Sequence, residues 1–429
     1  MALSTQPYKG ARDFYPEDKR IQDYMFGVWR TVCERFGYEA YDAPILEPTD
    51  LFLAKGNQEI IDEQTYTFKD RGDRSVTIRT EMTPTVSRMV AGRRQELAYP
   101  LRWYSIPNLW RYERPQGGRL REFWQLNVDL FGVDNAAAEL EMLQIVDACF
   151  KEFGASESMY GISLNHRELI NYLLDDYLQL EAAAKRSVAG LIDRMKKMER
   201  SVFISKVDVL LTPAQKAAGV TEKLLTILDA KALKDLPKEV QNEPPVKELE
   251  QLLEKLQAVG ITNARFDATL MRGFDYYTGI VFEAFDADPE NRRSLLGGGR
   301  YDGLVGQFGV TPVPTVGFAW GDVTLEKFLT GHRLLPALKP ATDLVVALVG
   351  ELLDVAQPAI AELRASGLKV AVDLSGRKLG DQFKAAEKQG VMNVLIIGDN
   401  ELQTGQYKLK NLETGNEQTV ALTQVKDRL

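Results

Sequence analysis

Apolar residues recur at helical spacing near the start of the chain, between Glu17 and Phe36. They stand three or four positions apart, at Ile21, Met25, Val28, Val32 and Phe36. This spacing places them on one face of an amphipathic helix, which Gly37 is expected to end. The following segment, GYEAYDAPIL, is predicted to be a strand.

Two β-hairpins are predicted next. Residues 66–81, YTFKDRGDRSVTIRTE, are expected to form two strands joined by an Arg-Gly-Asp turn. Residues 102–132 alternate between apolar and polar on both sides of a Pro-Gln-Gly-Gly loop, which predicts a second antiparallel pair. This hairpin is basic and carries Arg111, Arg114, Arg119 and Arg121. Guanidinium groups bind phosphates bidentately, so the hairpin favours ATP as a ligand, and a solvated basic surface is the alternative.

Helical periodicity returns at residues 136–153 and extends again over about 169–259. The longer stretch is predicted to be a helical subdomain inserted between two halves of a β core. Its seven basic residues between positions 181 and 206 are Lys185, Arg186, Arg194, Lys196, Lys197, Arg200 and Lys206. They form a candidate phosphate-facing surface, and a merely solvated helix face is the alternative.

Residues 270–302 contain two unusual segments, LMRGFDYYTGIVFEAF and LLGGGRYDGL. The β-branched and aromatic run at 280–282 predicts a buried strand. The glycines at 297–299 are expected to let the backbone approach a ligand closely, because no Cβ stands in the way. An arginine, paired tyrosines and a glycine floor predict a pocket for a small, flat, polar ligand. The alternative is that Tyr276, Tyr277 and Tyr301 are ordinary strand aromatics.

The length of 429 residues suggests two or three domains. The C-terminal part predicts a small α/β domain, with strands DLVVALVG, LKVAVDL, NVLIIG and QYKLKNL and helices at about 351–366 and 378–389. The composition, 45% hydrophobic and 27% charged, is that of a soluble globular protein. No membrane-length apolar span and no signal peptide are evident, so a cytoplasmic location without membrane association is expected.

Charge and potential metal ligands narrow the function classes. The two cysteines, Cys33 and Cys149, and the two histidines, His166 and His332, offer neither a CxxC site nor a histidine-based zinc site, so no zinc is expected. The net charge of −8 argues against non-specific nucleic-acid binding. It leaves room for an RNA partner that meets a local patch.

The order RGFDYYTG followed by GGGRYDGL resembles the two histidine-recognition motifs of histidyl-tRNA synthetases, a class IIa aminoacyl-tRNA synthetase family. The basic hairpin, with Arg111-x-Glu113, a loop and Arg119-x-x-x-Phe123, is similar to class II motif 2. GYEAYDAPIL is similar to the looser motif 1, with Pro44 at the place of its proline. In the family the first helix and this strand build a dimer interface, so a homodimer is expected.

The resemblance implies an α/β (α+β) fold with a class II antiparallel β-sheet core flanked by helices, a helical insertion and a C-terminal α/β anticodon-binding domain. The expected limits are 1–165 and 259–330 for the two parts of the catalytic core, 166–258 for the insertion, 331–341 for a linker and 342–429 for the anticodon-binding domain. Residues 375–388 are expected to lie nearest the RNA.

For ATP, the resemblance implies that Arg111 holds the α-phosphate and that Phe123 stacks on the adenine. Glu113 would accept a hydrogen bond from the adenine amino group, and Arg119 would reach the outer phosphates. Arg272 would act beside Arg111, on the α-phosphate and on the histidine carboxylate. ATP is expected as its Mg²⁺ complex, and no protein side chain is assigned as a metal ligand.

The residues implied for histidine binding are Glu81, Thr83, Gln125, Asp129, Arg272, Tyr277 and Tyr301. The first two would face the ammonium group, although Glu81 could instead cap the following helix. Gln125 and Asp129, at i and i+4 on one strand face, would point at the amino acid. The two tyrosines would meet the imidazole, one by stacking and one by a hydrogen bond.

The sequence departs from the family at motif 3. The chain reads GDVTLEKF, so Val323 and Thr324 occupy the positions of the expected Glu-Arg pair. In the family that arginine covers the adenine and the γ-phosphate. Lys327, one helical turn further, could project the same way, but an ammonium group lacks the planar fork of arginine.

The implied activity is that of a histidine–tRNA ligase, which activates L-histidine with ATP and transfers it to the 3′ end of tRNA(His). The alternative is a synthetase-like regulatory subunit of an ATP phosphoribosyltransferase that senses histidine, which the altered motif 3 favours. Arg272, the complete motif 2 and the C-terminal domain favour the ligase. A generic ATP-binding protein finds no support, because neither GxxxxGKS nor GxxxxGKT occurs.

Overall fold

The computed structural model describes residues 3–53, 64–195, 198–271, 276–291 and 293–429. The chain forms two compact units. One consists of Met1–Asp13 and Gln22–Leu335, and the other consists of Phe14–Ile21 and Pro336–Leu429. Arg272, which was predicted to act on ATP and histidine, lies outside the described residues. The finer domain limits given above stay predictions.

Strands in the first unit form two sheets. In chain order they are β1 (Glu39–Ala40), β2 (Leu46–Pro48), β3 (Tyr66–Lys69), β4 (Ser75–Ile78), β5 (Leu101–Ser105), β6 (Asn108–Trp110), β7 (Glu122–Phe131), β8 (Tyr160–His166), β9 (Ala264–Phe266), β10 (Ile280–Asp286), β11 (Ser294–Arg300) and β12 (Thr315–Gly321). The described residues give a nine-stranded sheet of order β1-β5-β7-β12-β11-β10-β8-β9, in which β6 also pairs with β7, and a small sheet β2-β4-β3. From β5 to β8 all neighbours are antiparallel, which confirms the predicted antiparallel core.

Helices surround this sheet and fill the stretch between β8 and β9. They are α1 (Pro16–Arg35), α2 (Thr49–Leu53), α3 (Thr83–Gly92), α4 (Ala137–Glu152), α5 (Arg167–Tyr172), α6 (Ala182–Asp193), α7 (Arg200–Leu210), α8 (Pro213–Ala217), α9 (Val220–Leu228), α10 (Lys238–Gln241), α11 (Pro244–Ala258) and α12 (Asp322–Gly331). None of the helices in the described part of the chain combines the length and hydropathy that crossing a membrane requires.

Aromatic side chains fix α1 and α4 against one face of the sheet. The rings of Trp29 on α1 and Trp320 on β12 lie 6.0 Å apart, and Phe150 on α4 lies 4.5 Å from Trp320. All three side chains are fully buried, and burial of each large apolar group contributes about 2–3 kcal/mol. Because side chains alternate along a strand, Gly317 of β12 faces the opposite side, where the candidate site lies.

Close packing between strands explains two glycines of the GGG run. A methyl group placed on Gly298 would lie closer than 3.0 Å to the carbonyl oxygen of Gly317, and one on Gly299 would lie 3.1 Å from the ring of Tyr277. Cβ atoms do not approach backbone oxygens that closely, so only glycine fits at Gly298. The neighbours are protein atoms, so close packing between strands requires glycine at these positions, and the predicted close approach to a ligand stays a prediction.

Helices between β8 and β9 form the predicted helical stretch. The buried His166 caps α5, because its Nδ1 accepts a hydrogen bond of 3.1 Å from the backbone N–H of Glu168. Acidic partners neutralise part of the predicted basic surface, since Lys185 forms an ion pair with Asp175, and Arg200 forms another with Asp229. Two further basic residues, at 196 and 197, lie outside the described residues.

Five strands and four helices are described in the second unit. They are β13 (Leu344–Leu348), α13 (Leu353–Ala365), β14 (Val370–Val372), α14 (Leu379–Lys388), β15 (Asn393–Ile397), α15 (Asp399–Thr404), β16 (Tyr407–Asn411), β17 (Glu417–Val420) and α16 (Val425–Arg428). Strands β14, β13 and β15 are parallel, and β16 and β17 continue the sheet antiparallel. The predicted α/β domain is confirmed, with β17, α15 and α16 as additions.

Candidate active site

Strand β7 forms the base of the candidate site. Its side chains alternate between two faces, so Phe123, Gln125 and Asp129 lie on the same face. Residues 122–125 are partly exposed, whereas residues 126–131 are buried. The face therefore runs from a solvent-accessible end at Phe123 to a buried end at Asp129.

Arg111, at the end of β6, lies over the accessible end of this face. Its guanidinium carbon is 5.3 Å from the centroid of the Phe123 ring, which is a cation–π contact. Its Nε donates a hydrogen bond of 2.9 Å to the carbonyl oxygen of Thr80. The two residues expected at the α-phosphate and the adenine are therefore neighbours.

Glu113 and Arg119 form an ion pair across the hairpin loop, with 2.6 Å between Oε2 and Nε. The carboxyl group is 6% exposed and the arginine side chain 42%, so solvent screening limits the pair to about 1 kcal/mol. Arg121 has another environment, because its guanidinium group lies over the rings of Tyr112 and Tyr8, 4.0 Å and 5.5 Å from their centroids. Arg121 thus attaches the N-terminal segment to the hairpin.

A cavity of about 360 Å³ has Glu81, Thr83 and Tyr276 among its lining residues. Loss of solvent raises the pKa of Glu81, and the positive charge of Arg111 opposes that rise. The alternative role for Glu81 as a helix cap is not observed, since Met82 is the N-cap of α3 and no side chain caps it. A carboxylate and a hydroxyl group in one cavity wall can accept hydrogen bonds from an ammonium group.

Asp129 and Tyr301 meet at the buried end of the β7 face. The Tyr301 hydroxyl donates a hydrogen bond to Oδ1 of Asp129, while Oδ2 has no hydrogen-bond partner among the described residues. Burial raises the pKa of Asp129 to about 7, and the neighbouring hydroxyl groups of Tyr301 and Tyr41 oppose part of the rise. The pair therefore offers a buried carboxyl group that changes its charge near neutral pH.

Three tyrosine rings connect this pair to the cavity. The ring centroids of Tyr276 lie 4.6 Å from Tyr277 and 6.1 Å from Tyr301, and those of Tyr277 and Tyr301 lie 6.3 Å apart. None of the three belongs to a strand, so they are not the strand aromatics of the alternative interpretation. Tyr276 belongs to the paired tyrosines of the predicted pocket and also lines the cavity, but it was not among the residues assigned to histidine binding.

The structure thus brings the predicted residues together in three adjacent groups. The first group contains Arg111, Glu113, Arg119 and Phe123. The second contains Asp129, Tyr277 and Tyr301. The third, Glu81 and Thr83, lines the cavity, and Gln125 lies between Phe123 and Asp129 on β7. In the described residues no group of three or more His, Cys, Asp or Glu side chains is arranged to hold a metal ion.

Comparison with known proteins decides the family. The model of a family described as histidyl-tRNA synthetase matches residues 10–323. The chain belongs to the histidyl-tRNA synthetase family. A second model, described as an anticodon-binding domain, matches residues 343–429. The resemblance of the two histidine motifs and of the motif 2 hairpin is thereby confirmed at the level of the family.

Relatives of the chain extend over its full length. It is 40% identical over 433 residues to a histidine–tRNA ligase of Leptospira biflexa, covering 100% of this chain and 98% of the relative. It is 37% identical over 430 residues to a histidine–tRNA ligase of Opitutus terrae, covering 98% and 97%. A crystal structure of histidyl-tRNA synthetase from Nostoc sp. PCC 7120 matches with a TM-score of 0.82 at 25% identity, covering all of both chains.

For a member of the histidyl-tRNA synthetase family, the start of α12 is unusual. The Thr324 hydroxyl lies 2.9 Å from the carbonyl oxygens of both Leu295 and Gly321, so it is turned into the protein. Asp322 attaches the first turn of α12 to β7, because its Oδ1 accepts a hydrogen bond of 3.0 Å from the backbone N–H of Trp124. The motif 3 position therefore lies against the motif 2 hairpin even without its arginine.

Proposed function

We propose that the chain is an ATP-dependent histidine–tRNA ligase, which forms histidyl-adenylate from L-histidine and ATP and transfers the histidyl group to the 3′ end of tRNA(His). The observation that carries this proposal is the set of side chains on and beside one face of β7. Arg111 and Phe123 at its accessible end suit a nucleotide, and Asp129 with Tyr301 at its buried end suits a polar ring. The family match and the full-length relatives support the same activity.

Adenylation joins the two substrates directly. A carboxylate oxygen of histidine attacks the α-phosphorus of ATP, a new P–O bond forms, and the bond from the α-phosphorus to the bridging oxygen breaks as pyrophosphate leaves with the electron pair. The step needs neither a covalent enzyme intermediate nor a side-chain base. Positioning and preorganised charge therefore supply the catalysis. Mg²⁺ enters with ATP as part of the substrate complex.

Four described residues bind ATP in this proposal. Arg111 stabilises the negative charge that develops on the α-phosphate, and Phe123 stacks on the adenine. Glu113 accepts from the adenine amino group and Arg119 reaches the outer phosphates, so their mutual ion pair opens when the nucleotide binds. Because the Arg119 side chain is 42% exposed, solvent screens the pair at that end, and opening it costs about 1 kcal/mol. Arg272 is proposed to act on the α-phosphate and the histidine carboxylate, as the resemblance implies.

Histidine occupies the remainder of the site. Glu81 and Thr83 accept hydrogen bonds from its ammonium group, and Gln125 faces the amino acid from β7. Oδ2 of Asp129 accepts from an imidazole N–H, and the ring of Tyr277 packs against the imidazole. A site built to hydrogen-bond an imidazole N–H rejects an isostere that lacks it by a factor of about 10⁴.

Transfer to tRNA follows on the same face. A terminal ribose hydroxyl of tRNA(His) attacks the carbonyl carbon of histidyl-adenylate, an ester bond forms, and AMP leaves. The C-terminal α/β unit binds the anticodon through residues 375–388, and the helical stretch between β8 and β9 approaches the acceptor stem. The ligase acts as a homodimer in the cytoplasm. The regulatory-subunit alternative is not favoured, because the full-length relatives are named as ligases.

Exchange of labelled pyrophosphate into ATP tests the proposal. The purified chain with Mg²⁺ is expected to catalyse exchange with histidine and with none of the other amino acids. Arg111→Ala is expected to abolish it in a protein that stays folded and unfolds cooperatively, with a midpoint lowered only by the loss of the hydrogen bond to Thr80. A folded protein that binds histidine without any exchange would contradict the ligase and support the regulatory alternative.

A further inference from the structure

An arginine from a different element lies beside the altered motif 3 position. Arg293 immediately precedes β11, two residues before Leu295, whose carbonyl oxygen is 2.9 Å from the hydroxyl group of Thr324. A methyl group placed on Gly118 would lie 3.2 Å from Cδ of Arg293 and 4.0 Å from Cγ2 of Thr324. The Arg293 side chain therefore lies next to both the motif 2 loop and the first turn of α12.

Positive charge exceeds negative charge around Arg293. Loss of solvent and the neighbouring guanidinium group of Arg119 lower the pKa of Arg293, and only Glu113 opposes this. Glu113 already pairs with Arg119, and no carboxylate in the described ranges forms an ion pair with Arg293. Two guanidinium groups thus share one carboxylate. An anion placed between them would relieve the repulsion and gain charge-assisted hydrogen bonds.

We infer that Arg293 supplies the guanidinium group that motif 3 lacks and binds the outer phosphates of ATP opposite Arg119. The inference rests on the proposed ligase function. In this chain the arginine comes from the start of β11, whereas the family places it in the first turn of the helix that corresponds to α12. Thr324 makes this possible, because its short side chain is turned inward and leaves space for the neighbouring arginine.

Lys327 is the competing cation. It lies one turn further along α12 and is exposed, and its ammonium group is a point charge without a planar fork. Arg293 is partly exposed, lies against the hairpin loop that carries Glu113 and Arg119, and can contact a phosphate bidentately. A single substitution by alanine removes either cation, so the two variants can be compared directly in one experiment.

Four full-length variants test the inference: Arg293→Ala, Arg293→Lys, Lys327→Ala and the double variant Arg293→Ala/Thr324→Arg. In pyrophosphate exchange, Arg293→Ala is expected to raise the KM for ATP by about 10- to 100-fold, the usual loss for charged hydrogen bonds, with an unchanged KM for histidine. The lysine variant should be intermediate and Lys327→Ala should equal the parent. Thr324→Arg is expected to restore ATP binding, because it returns a guanidinium group to the family position.

Calorimetric titration with MgATP in the absence of histidine separates this inference from the ligase proposal. Weaker MgATP binding by Arg293→Ala supports the inference, even if the parent chain showed no exchange and the ligase proposal failed. Parental binding and exchange by Arg293→Ala would overturn it, as would a loss confined to Lys327→Ala. Unfolding midpoints should agree among the single variants, because Arg293 has no ion pair in the described residues to lose.

Discussion

The hydroxyl group of Tyr301 donates a hydrogen bond to the carboxyl group of Asp129, and both residues are at most 4% exposed. Tyr301 follows β11 and Asp129 lies in β7, so the bond passes across β12, the strand between them. Gly317 of β12 allows this approach, since a methyl group there would lie closer than 3.0 Å to both side chains. Three residues distant in sequence thus form one buried unit.

Replacing Tyr301 by Phe should weaken histidine binding more than ATP binding. The variant removes the donor to Asp129 and leaves a buried carboxylate oxygen unsatisfied, which costs about 1–3 kcal/mol. The KM for histidine in pyrophosphate exchange is expected to rise about 10-fold while the KM for ATP stays constant. Tyr277→Phe is the matched control, because it keeps the ring that packs against imidazole. Equal changes in both KM values would remove Tyr301 from the histidine site.

The ionisation of Asp129 should appear in the pH dependence of stability. Its pKa in the folded chain is about 7, above the ordinary value of 3.8. The stabilising contribution of the protonated group is complete below pH 4 and is lost as the pH rises to about 7, because the unfolded chain releases the proton first. The side chain in Asp129→Asn cannot ionise. The urea midpoint of the parent should therefore fall relative to that of the variant as the pH rises through this range.

The difference in unfolding free energy between the parent and Asp129→Asn should change by at most about 1.4 kcal/mol per pH unit, and it should level off above pH 7. Urea unfolding of both proteins without ligands at pH 4, 5, 6, 7 and 8 measures it. Asparagine keeps the shape of the carboxyl group and can still accept a hydrogen bond from Tyr301, so packing is matched. A constant difference between the two midpoints would show that Asp129 has an ordinary pKa.

Glu113→Ala should weaken the use of ATP while changing the stability of the fold little. The ion pair with Arg119 is solvent-screened, so its loss should shift the unfolding free energy by no more than about 1 kcal/mol. The proposed hydrogen bond to the adenine amino group would be lost as well, and the KM for ATP should rise about 10-fold or more. Steady-state exchange and thermal unfolding measure the two effects. A large loss of stability with unchanged ATP kinetics would make Glu113 a purely structural residue.

Gly298→Ala should destabilise the first unit strongly. The added methyl group would lie closer than 3.0 Å to the carbonyl oxygen of Gly317, to Phe282 and to Phe318, so the strands would have to separate. A cost of about 3 kcal/mol is expected, at the upper end for overpacking. Gly303→Ala is the control, since nothing lies within 4 Å of a methyl group there. Similar urea midpoints for the two variants would contradict the packing argument.

Local sequence patterns were sufficient to predict many of the helices and strands. The three-to-four spacing from Ile21 onward predicted α1 nearly to its ends, and the turn signals predicted the hairpins β3–β4 and β6–β7. Period-two alternation in β7 also predicted that Gln125 and Asp129 lie on one face of the strand. These features depend on neighbours in sequence, which is why the sequence contains them.

Contacts between distant segments were not predictable in the same way. Arg293 reaches the motif 2 loop only because β11 pairs with β12 in a particular register and α12 is attached to β7. The GGG run indicated close approach, but the approaching atoms turned out to be those of Gly317 and Tyr277. The partners of Lys185 and Arg200 likewise come from elsewhere in the chain, so the basic stretch appeared more cationic in the sequence than it is in the fold.

The single strand β7 also fixes a distance. Asp129 lies six positions after Phe123, which corresponds to about 20 Å of extended backbone. In the proposed binding mode, with the adenine at Phe123 and the imidazole at Asp129, the strand acts as a ruler that sets the distance between these two rings. An inserted residue would lengthen the ruler by about 3.3 Å and turn Asp129 to the opposite face. The chain can therefore accept substitutions along β7 far more readily than a change in its number of residues.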